Sequence, residues 1–294
     1  MSQAEIPSQL FCFNSYSYFV EGNRQHKGIE SADNRRQLKL ERERERERER
    51  AKRRKMGMVK EATGDALLTS LWVFSAPMMG VLTTIIATYL GVQANPLVSL
   101  FITTIIATIL VLSFSIIGAA LGGASFNPST TLSFYTAGLK PESSLISLAA
   151  RFPAQAAGGV GGAKAILQFM PTQYKPRLKG PLLQVDLHTG AIAEGVLTFL
   201  INFTILFIVI RGPKNPLLKV WLIAVATMGL VVAGSGYTGP SMNPANAFGW
   251  AFVNDRYNTW EHFYVYWICP FAGSALAALI FRFLFLSPIK QKKA

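Results

Sequence analysis

Gly122-Gly-Ala-Ser-Phe-Asn127-Pro128-Ser129-Thr-Thr-Leu-Ser-Phe134 and Gly236-Tyr237-Thr-Gly-Pro240-Ser-Met-Asn243-Pro244-Ala245-Asn246-Ala-Phe-Gly-Trp250 are the two stretches on which the fold turns. Each places an Asn-Pro pair in a connection too apolar for an ordinary surface loop. Asn is a good N-cap, and Pro is favoured at the first helical position. Both stretches therefore predict short helices of about two to three turns that begin at the boxes. A short apolar helix can re-enter a membrane where its open backbone lines a wet cavity.

Around the boxes lie six apolar runs, at residues 65–90, 96–121, 143–169, 189–211, 217–236 and 261–284. Each holds about 20 residues or more, enough to cross a ~30 Å hydrocarbon core as a helix. Half of the 294 residues are hydrophobic and only 15% are charged, yet the formal net charge is +13. A soluble enzyme surface would carry more charge of both signs. A nucleic-acid binder would need a folded basic face, whereas here the basic residues punctuate the ends of apolar runs, so no nucleic-acid partner is expected. Lys and Arg at 211, 214, 219, 282, 290, 292 and 293 fall on the same side as both termini. Cytosolic segments are basic, which makes that side the cytosol. Lys175, Arg177 and Lys179, between spans three and four, run against the rule.

Residues 1–60 form a separate leader with 15 Lys/Arg and 9 Asp/Glu. They are polar, lack a sustained apolar face and predict disorder. Residues 41–50 read Glu-Arg five times over, which a GA-dinucleotide tract in the message would encode. The leader is thus expected to be upstream sequence, with the working start at Met56 or Met58. The domain plan is a basic leader at 1–60, a membrane domain at 61–285 and a basic cytosolic tail at 286–294. Cys12 lies in the leader and Cys269 in an apolar run, so no disulfide framework, metal site or redox site is expected.

The two halves repeat. Asp65-Ala-Leu-Leu-Thr69 parallels Glu194-Gly-Val-Leu-Thr198 at an offset of 129, the boxes correspond at 116, and Gln155 to Pro270 at 115. Three spans per half, an odd number, force the second half to insert upside down. That is the inverted-repeat plan of channels and transporters. The fold class predicted is an all-α membrane protein with six transmembrane helices and two re-entrant half-helices in an inverted repeat.

Paired Asn-Pro boxes in inverted halves of six spans resemble the aquaporin, or major intrinsic protein, family. The resemblance covers residues 63–285. Within the family the chain is most similar to plant small basic intrinsic proteins of type 1, through its departed first box, Val-Asp186-Leu-His188-Thr-Gly, Tyr264-Val-Tyr-Trp-Ile-Cys-Pro270 and the lysine-rich end.

The resemblance implies that Asn127 and Asn243 cap two half-helices meeting at mid-membrane and donate hydrogen bonds to a passing water, with Pro128, Ser129, Pro244 and Ala245 completing the boxes. The facing helix ends repel cations. Ser129 stands where the family usually has Ala, and its hydroxyl is expected to bond back to its own helix. The filter positions implied are Leu110, Val231, Pro240 and Asn246; Asn246 replaces the usual Arg, which removes a fixed charge and a fork of donors. Asp65 and Glu194 are expected to hold the re-entrant loops, because ionisable groups in spans face the interior. Arg151 and Lys164 are expected to snorkel, and Trp260, Tyr264, Tyr266 and Trp267 to form an interfacial aromatic belt. His188 and His262 sit near span starts. Lys290-Gln-Lys292-Lys293-Ala294 resembles a dilysine retrieval signal, which with the resemblance implies the endoplasmic reticulum membrane. A homotetramer with one pore per chain is implied as well.

The function expected is a passive channel for water and other small neutral solutes, with no catalytic group, no cofactor and the lipid bilayer as surroundings. Two alternatives stay open at this level. One is a secondary transporter, which shares inverted repeats. The other is a non-conducting membrane scaffold.

Overall fold

A computed structural model describes residues 12–140 and 144–286. The chain divides into two units, Met1–Gly57 and Met58–Ala294. In the first unit, residues 12–57 are helical, and the described residues from Lys39 to Gly57 are exposed. This differs from the disorder expected of the leader and has a local cause. Glu, Arg and Lys are good helix formers, and in the Glu-Arg run opposite charges at i,i+3 offset the like charges at i,i+4. Residues 1–11 and the tail lysines Lys290, Lys292 and Lys293 lie outside the described residues.

The helices are α1 (Cys12–Tyr89), α2 (Pro96–Ala120), α3 (Pro128–Thr136), α4 (Leu145–Phe169), α5 (Leu187–Arg211), α6 (Pro216–Gly234), α7 (Pro244–Val253) and α8 (Trp260–Phe285). A 3₁₀ turn, Thr172–Arg177, lies between α4 and α5. Among the described residues there is no strand. Helices α1, α2, α5, α6 and α8 are long and apolar enough to cross a membrane. Helix α4, with 25 residues, has the length but carries Arg151, Gln155 and Lys164. Its polar side chains make sense only with partners inside the protein, since lipid offers none. Helices α3 and α7, of 9 and 10 residues, are the two short helices expected at the boxes.

Four helices, not two, begin with Asn-Pro. Asn95, Asn127, Asn215 and Asn243 cap α2, α3, α6 and α7, each with Pro at the first helical position. Each Asn Oδ1 accepts two backbone N–H groups that the helix leaves open. Asn-Pro is thus a general start signal in this chain, and position decides which pairs do more.

Helix α8 contains one wide π-turn, Tyr264–Ile268, directly before Cys269-Pro270. The Cys269 N–H reaches back to the Tyr264 carbonyl. Pro270 has no N–H to give, and a widened turn is one way a helix accommodates it.

The halves are pinned by matched backbone contacts. A Cβ on Gly158 of α4 would overlap the Ala66 carbonyl of α1. A Cβ on Gly273 of α8 would overlap the Gly195 carbonyl of α5. Ala66 and Gly195 directly follow the acids Asp65 and Glu194, so each close crossing brings its third helix onto an acid. Small residues at crossings are how membrane helices pack without a hydrophobic drive between them.

Burial is inverted relative to a soluble protein. Asp65, Gln155, Glu194, Thr198 and Asn202 are fully buried, whereas Ile109, Ile116, Leu279 and Phe283 are exposed. Outward apolar groups suit a lipid surround, and inward polar groups must then satisfy one another.

Gly158→Ala forces backbone apart and is expected to cost about 1–3 kcal/mol, lowering the thermal midpoint in detergent. Gly80 has open space around it, so Gly80→Ala should leave the midpoint unchanged or raised. Equal midpoints for both variants would contradict the close crossing.

Candidate functional site

The two short helices meet end to end at their caps. The Asn127 Oδ1 accepts from Ser129 N at 2.9 Å and Thr130 N at 3.5 Å, while its Nδ2 donates to the Met242 carbonyl at 3.0 Å. The Asn243 Oδ1 accepts from Ala245 N at 3.1 Å and Asn246 N at 3.3 Å, while its Nδ2 donates to the Phe126 carbonyl at 2.9 Å. Met242 and Phe126 are the residues directly before the two Asn. Each Asn therefore caps its own helix and ties down the approach to the other. Met242 holds φ at +49°, an uncommon backbone for a long side chain. A carboxamide nitrogen carries two hydrogens; one is engaged across the pair, and the second has no protein acceptor among the described residues. Asn95 and Asn215 make the same caps, yet among the described residues neither amide donates to another loop. Capping alone does not account for the cross-linked pair.

Two carboxylates hold the loops that carry the boxes. Glu194 accepts from Thr238 Oγ1 at 2.8 Å, Ser241 N at 3.0 Å and Met242 N. Asp65 accepts from only one loop N–H, Ser125 at 2.7 Å. Its other partners are Arg151, with Nε at 2.6 Å and a terminal nitrogen at 2.9 Å, and Gln155 Nε2 at 2.7 Å. Asp is one methylene shorter than Glu. Gln155 makes up the reach by donating also to the Ser125 carbonyl and the Thr131 hydroxyl.

Arg151 is 1% exposed and does not snorkel. The Gly158 crossing presses α4 onto α1 and brings the guanidinium onto Asp65, with Glu61 at 3.9 Å beyond it. Lys164 is exposed, with its ammonium 5.1 Å from the Phe252 ring centre. Arg151 and Gln155 stand four apart in α4, hence on one face, and a polar pair inside a span needs an interior partner. That was the signal available for finding them.

Three of the four positions expected to form a filter lie near the second box. Val231 packs against the buried cluster Leu197, Ile201 and Met242. Pro240 lies against Gly234. Asn246 donates from Nδ2 to the Ser241 hydroxyl at 3.1 Å. Leu110 is half-buried on α2, and no hydrogen bond or core cluster joins it to these three. Ser129 is fully buried and its hydroxyl has no hydrogen-bond partner; it does not bond back to its helix. One turn on, Ser133 Oγ bonds the Thr130 carbonyl and Asn202.

The aromatic belt needs one correction. Tyr266 is 5% exposed, and its hydroxyl donates to the Thr238 carbonyl at 3.0 Å. It therefore supports the loop that Glu194 holds. Trp260 is exposed and stacks on Tyr264 at 5.6 Å. His262 is buried, and its Nε2 accepts from Trp267 Nε1 at 3.2 Å; His188 lies near Tyr264. Among the described residues no group of three His, Cys, Asp or Glu is placed to hold a metal ion.

Residues 52–281 match the model of the family described as major intrinsic protein. The chain is 52% identical over 238 residues to "Aquaporin SIP1-1" of Oryza sativa subsp. japonica, covering 80% of this chain and 97% of that protein. It is 53% identical over 236 residues to "Aquaporin SIP1-2" of Zea mays, covering 80% and 96%. Among solved structures, the aquaglyceroporin from Plasmodium falciparum superposes with a TM-score of 0.60 at 18% identity, covering 77% of this chain and 96% of that one; that likeness speaks for the fold.

Arg151→Met leaves the Asp65 carboxylate buried without its cation, expected to cost about 3–5 kcal/mol and to deplete folded protein in detergent. The double variant Arg151→Met, Asp65→Leu removes both charges and should recover most of the loss. A single variant as stable as wild type would contradict the pairing.

Proposed function

The chain belongs to the major intrinsic protein family, and from that premise we propose that it is a passive transmembrane channel for water and other small neutral solutes, working through the crossed Asn127–Asn243 pair. The observation that carries this is the reciprocal donation between the boxes, which leaves one amide hydrogen on each Asn for a passing oxygen.

A water that accepts from both amides points its own hydrogens away from them. It cannot accept a proton from a neighbour and relay it. The half-helices α3 and α7 add to this, because each N-terminus is equivalent to roughly half a positive charge. Two such ends facing one another repel cations without a cationic side chain at the filter. That matters here because Asn246 stands where the family's filter Arg would be.

Val231, Pro240, Asn246 and Leu110 form the proposed filter, apolar apart from one amide. Asp65 and Glu194 are the loop-supporting acids. Their buried oxygens are occupied by loop N–H groups, hydroxyls and the Arg151 and Gln155 side chains. Neither is free to carry a coupling ion, which favours a channel over a transporter. With α4 as a sixth crossing, Met58 and Leu286 would lie on one side, and the basic segments favour the cytosol for that side. We assign the protein to the endoplasmic reticulum membrane on its lysine-rich end, and as a homotetramer on family membership.

Vesicles holding the purified chain should shrink several-fold faster than empty vesicles under an osmotic step. Equal rates would overturn the channel. Asn246→Arg should change the ratio of water to glycerol flux, and an unchanged ratio would remove residue 246 from the filter.

A further inference from the structure

The first box has an aromatic clamp where the second has aliphatic side chains. Phe126, whose carbonyl receives the Asn243 amide, has its ring stacked on Trp72 of α1, at 4.2 Å between centres and 15° between planes. Phe114 of α2 meets both rings edge-on, at 5.4 Å from Trp72 and 5.8 Å from Phe126. The repeat supplies a comparison inside the same molecule. The offset of 129 that matches Asp65 to Glu194 places Ile201 opposite Trp72. The offset of 116 that matches the boxes places Met242 opposite Phe126. Ile201 and Met242 also pack together, but as aliphatic groups in one buried cluster.

The difference is one of shape and stiffness. Met has three rotatable bonds and yields to its neighbours. A Phe ring held face-on by Trp and edge-on by a second Phe sits in the favoured offset and T-shaped arrangements and has no comparable room to turn. Phe114 and Phe126 also form part of the wall of a cavity of about 390 Å³, with Ser125, Thr130, Thr131 and Lys140. That wall carries hydroxyls and a lysine up to the aromatic pair. Asn127, the next residue after Phe126, is not part of it. Phe126 thus belongs both to this wall and, through its carbonyl, to the crossed amides.

We propose that Phe126, clamped by Trp72 and Phe114, is a second constriction of the conducting path, on the first-box side, and that it sets the upper size of the neutral solutes that pass. The inference rests on the channel reading. The ring offers a passing water no strong hydrogen bond. It acts by width, and polarity is left to the amides beyond it. The asymmetry between boxes then has a consequence: the path narrows at a rigid aromatic on one side of the amide pair and at pliable aliphatic groups on the other.

The test is osmotic shrinkage of vesicles holding the full chain, with water and glycerol measured separately. Phe126→Ala should raise glycerol flux several-fold over wild type while water flux is kept or increased. Trp72→Leu frees the ring without altering the residue beside the box and should move glycerol flux the same way by less. Leu279→Ala, on the exposed face of α8, should leave the glycerol-to-water ratio unchanged. Phe126→Ala and Trp72→Leu proteins with wild-type thermal midpoints and wild-type glycerol flux would overturn the constriction, and so would a wild-type chain that passes glycerol as fast as water. If wild type conducts no water, the channel reading falls; the constriction then stands only if Phe126→Ala opens the path, and falls otherwise.

Discussion

Two carboxamides, each capping its own helix and donating to the carbonyl beside the other, are the constraint on which the rest of this membrane domain depends. Bringing two helix N-termini together sets like partial charges face to face. It also opens irregular backbone at a depth where lipid offers no hydrogen bonds. Asn meets both demands at once. Its oxygen accepts the first open N–H groups of its own helix, and its nitrogen supplies the loop carbonyl opposite. Asp would cap equally well but has no donor to send across. Asn95 and Asn215 show the same cap without the crossing, so the function of the pair comes from where the fold places it.

The supporting structure follows from this constraint, and the two halves meet it differently. At the second box Glu194 reaches the loop directly and Tyr266 steadies the same loop through Thr238. At the first box the shorter Asp65 reaches one loop N–H and is completed by Arg151 and Gln155 from α4. An uncompensated buried carboxylate is costly, and a paired one is held in a single arrangement. The close glycine crossings make both arrangements possible, because they set the third helix of each half against the acid-bearing first helix. The halves thus share a scaffold while their chemistry diverges: Arg151 on one side with no counterpart beside Glu194 among the described residues, and Trp72 on Phe126 where Ile201 meets Met242.

The spans, the short helices and the inverted repeat were legible in the sequence because each rests on local pattern. Apolar length gives a span, Asn-Pro gives a helix start, and ordered motif pairs give the repeat. Helices α2, α4, α5, α6 and α8 end within two residues of the limits read from hydropathy. What could not be read depends on partners far apart in the chain. Arg151 looks like a span-end cation until Asp65, 86 residues earlier, is placed beside it. Tyr266 looks like a belt residue until Thr238 supplies an acceptor. The Ser129 hydroxyl has a local acceptor in principle and takes none. Leu110 is half-buried on α2 and shares no hydrogen bond or core cluster with Val231, Pro240 or Asn246, so no local pattern ties it to them. In the leader, composition argued for disorder, whereas residues 12–57 are helical, and the helix preference of Glu and Arg accounts for the Glu-Arg run within them.

The central claim is that the two boxes hold each other, and a double-mutant cycle tests it most directly. Unfolding free energies would be compared for wild type, Asn127→Ala, Asn243→Ala and the double variant, in one detergent. Each Asn donates to the carbonyl beside the other, so the account predicts a coupling energy of about 0.5–3 kcal/mol. Effects that add to within about 0.3–0.5 kcal/mol, as for independent sites, would contradict it and leave the two residues as separate helix caps.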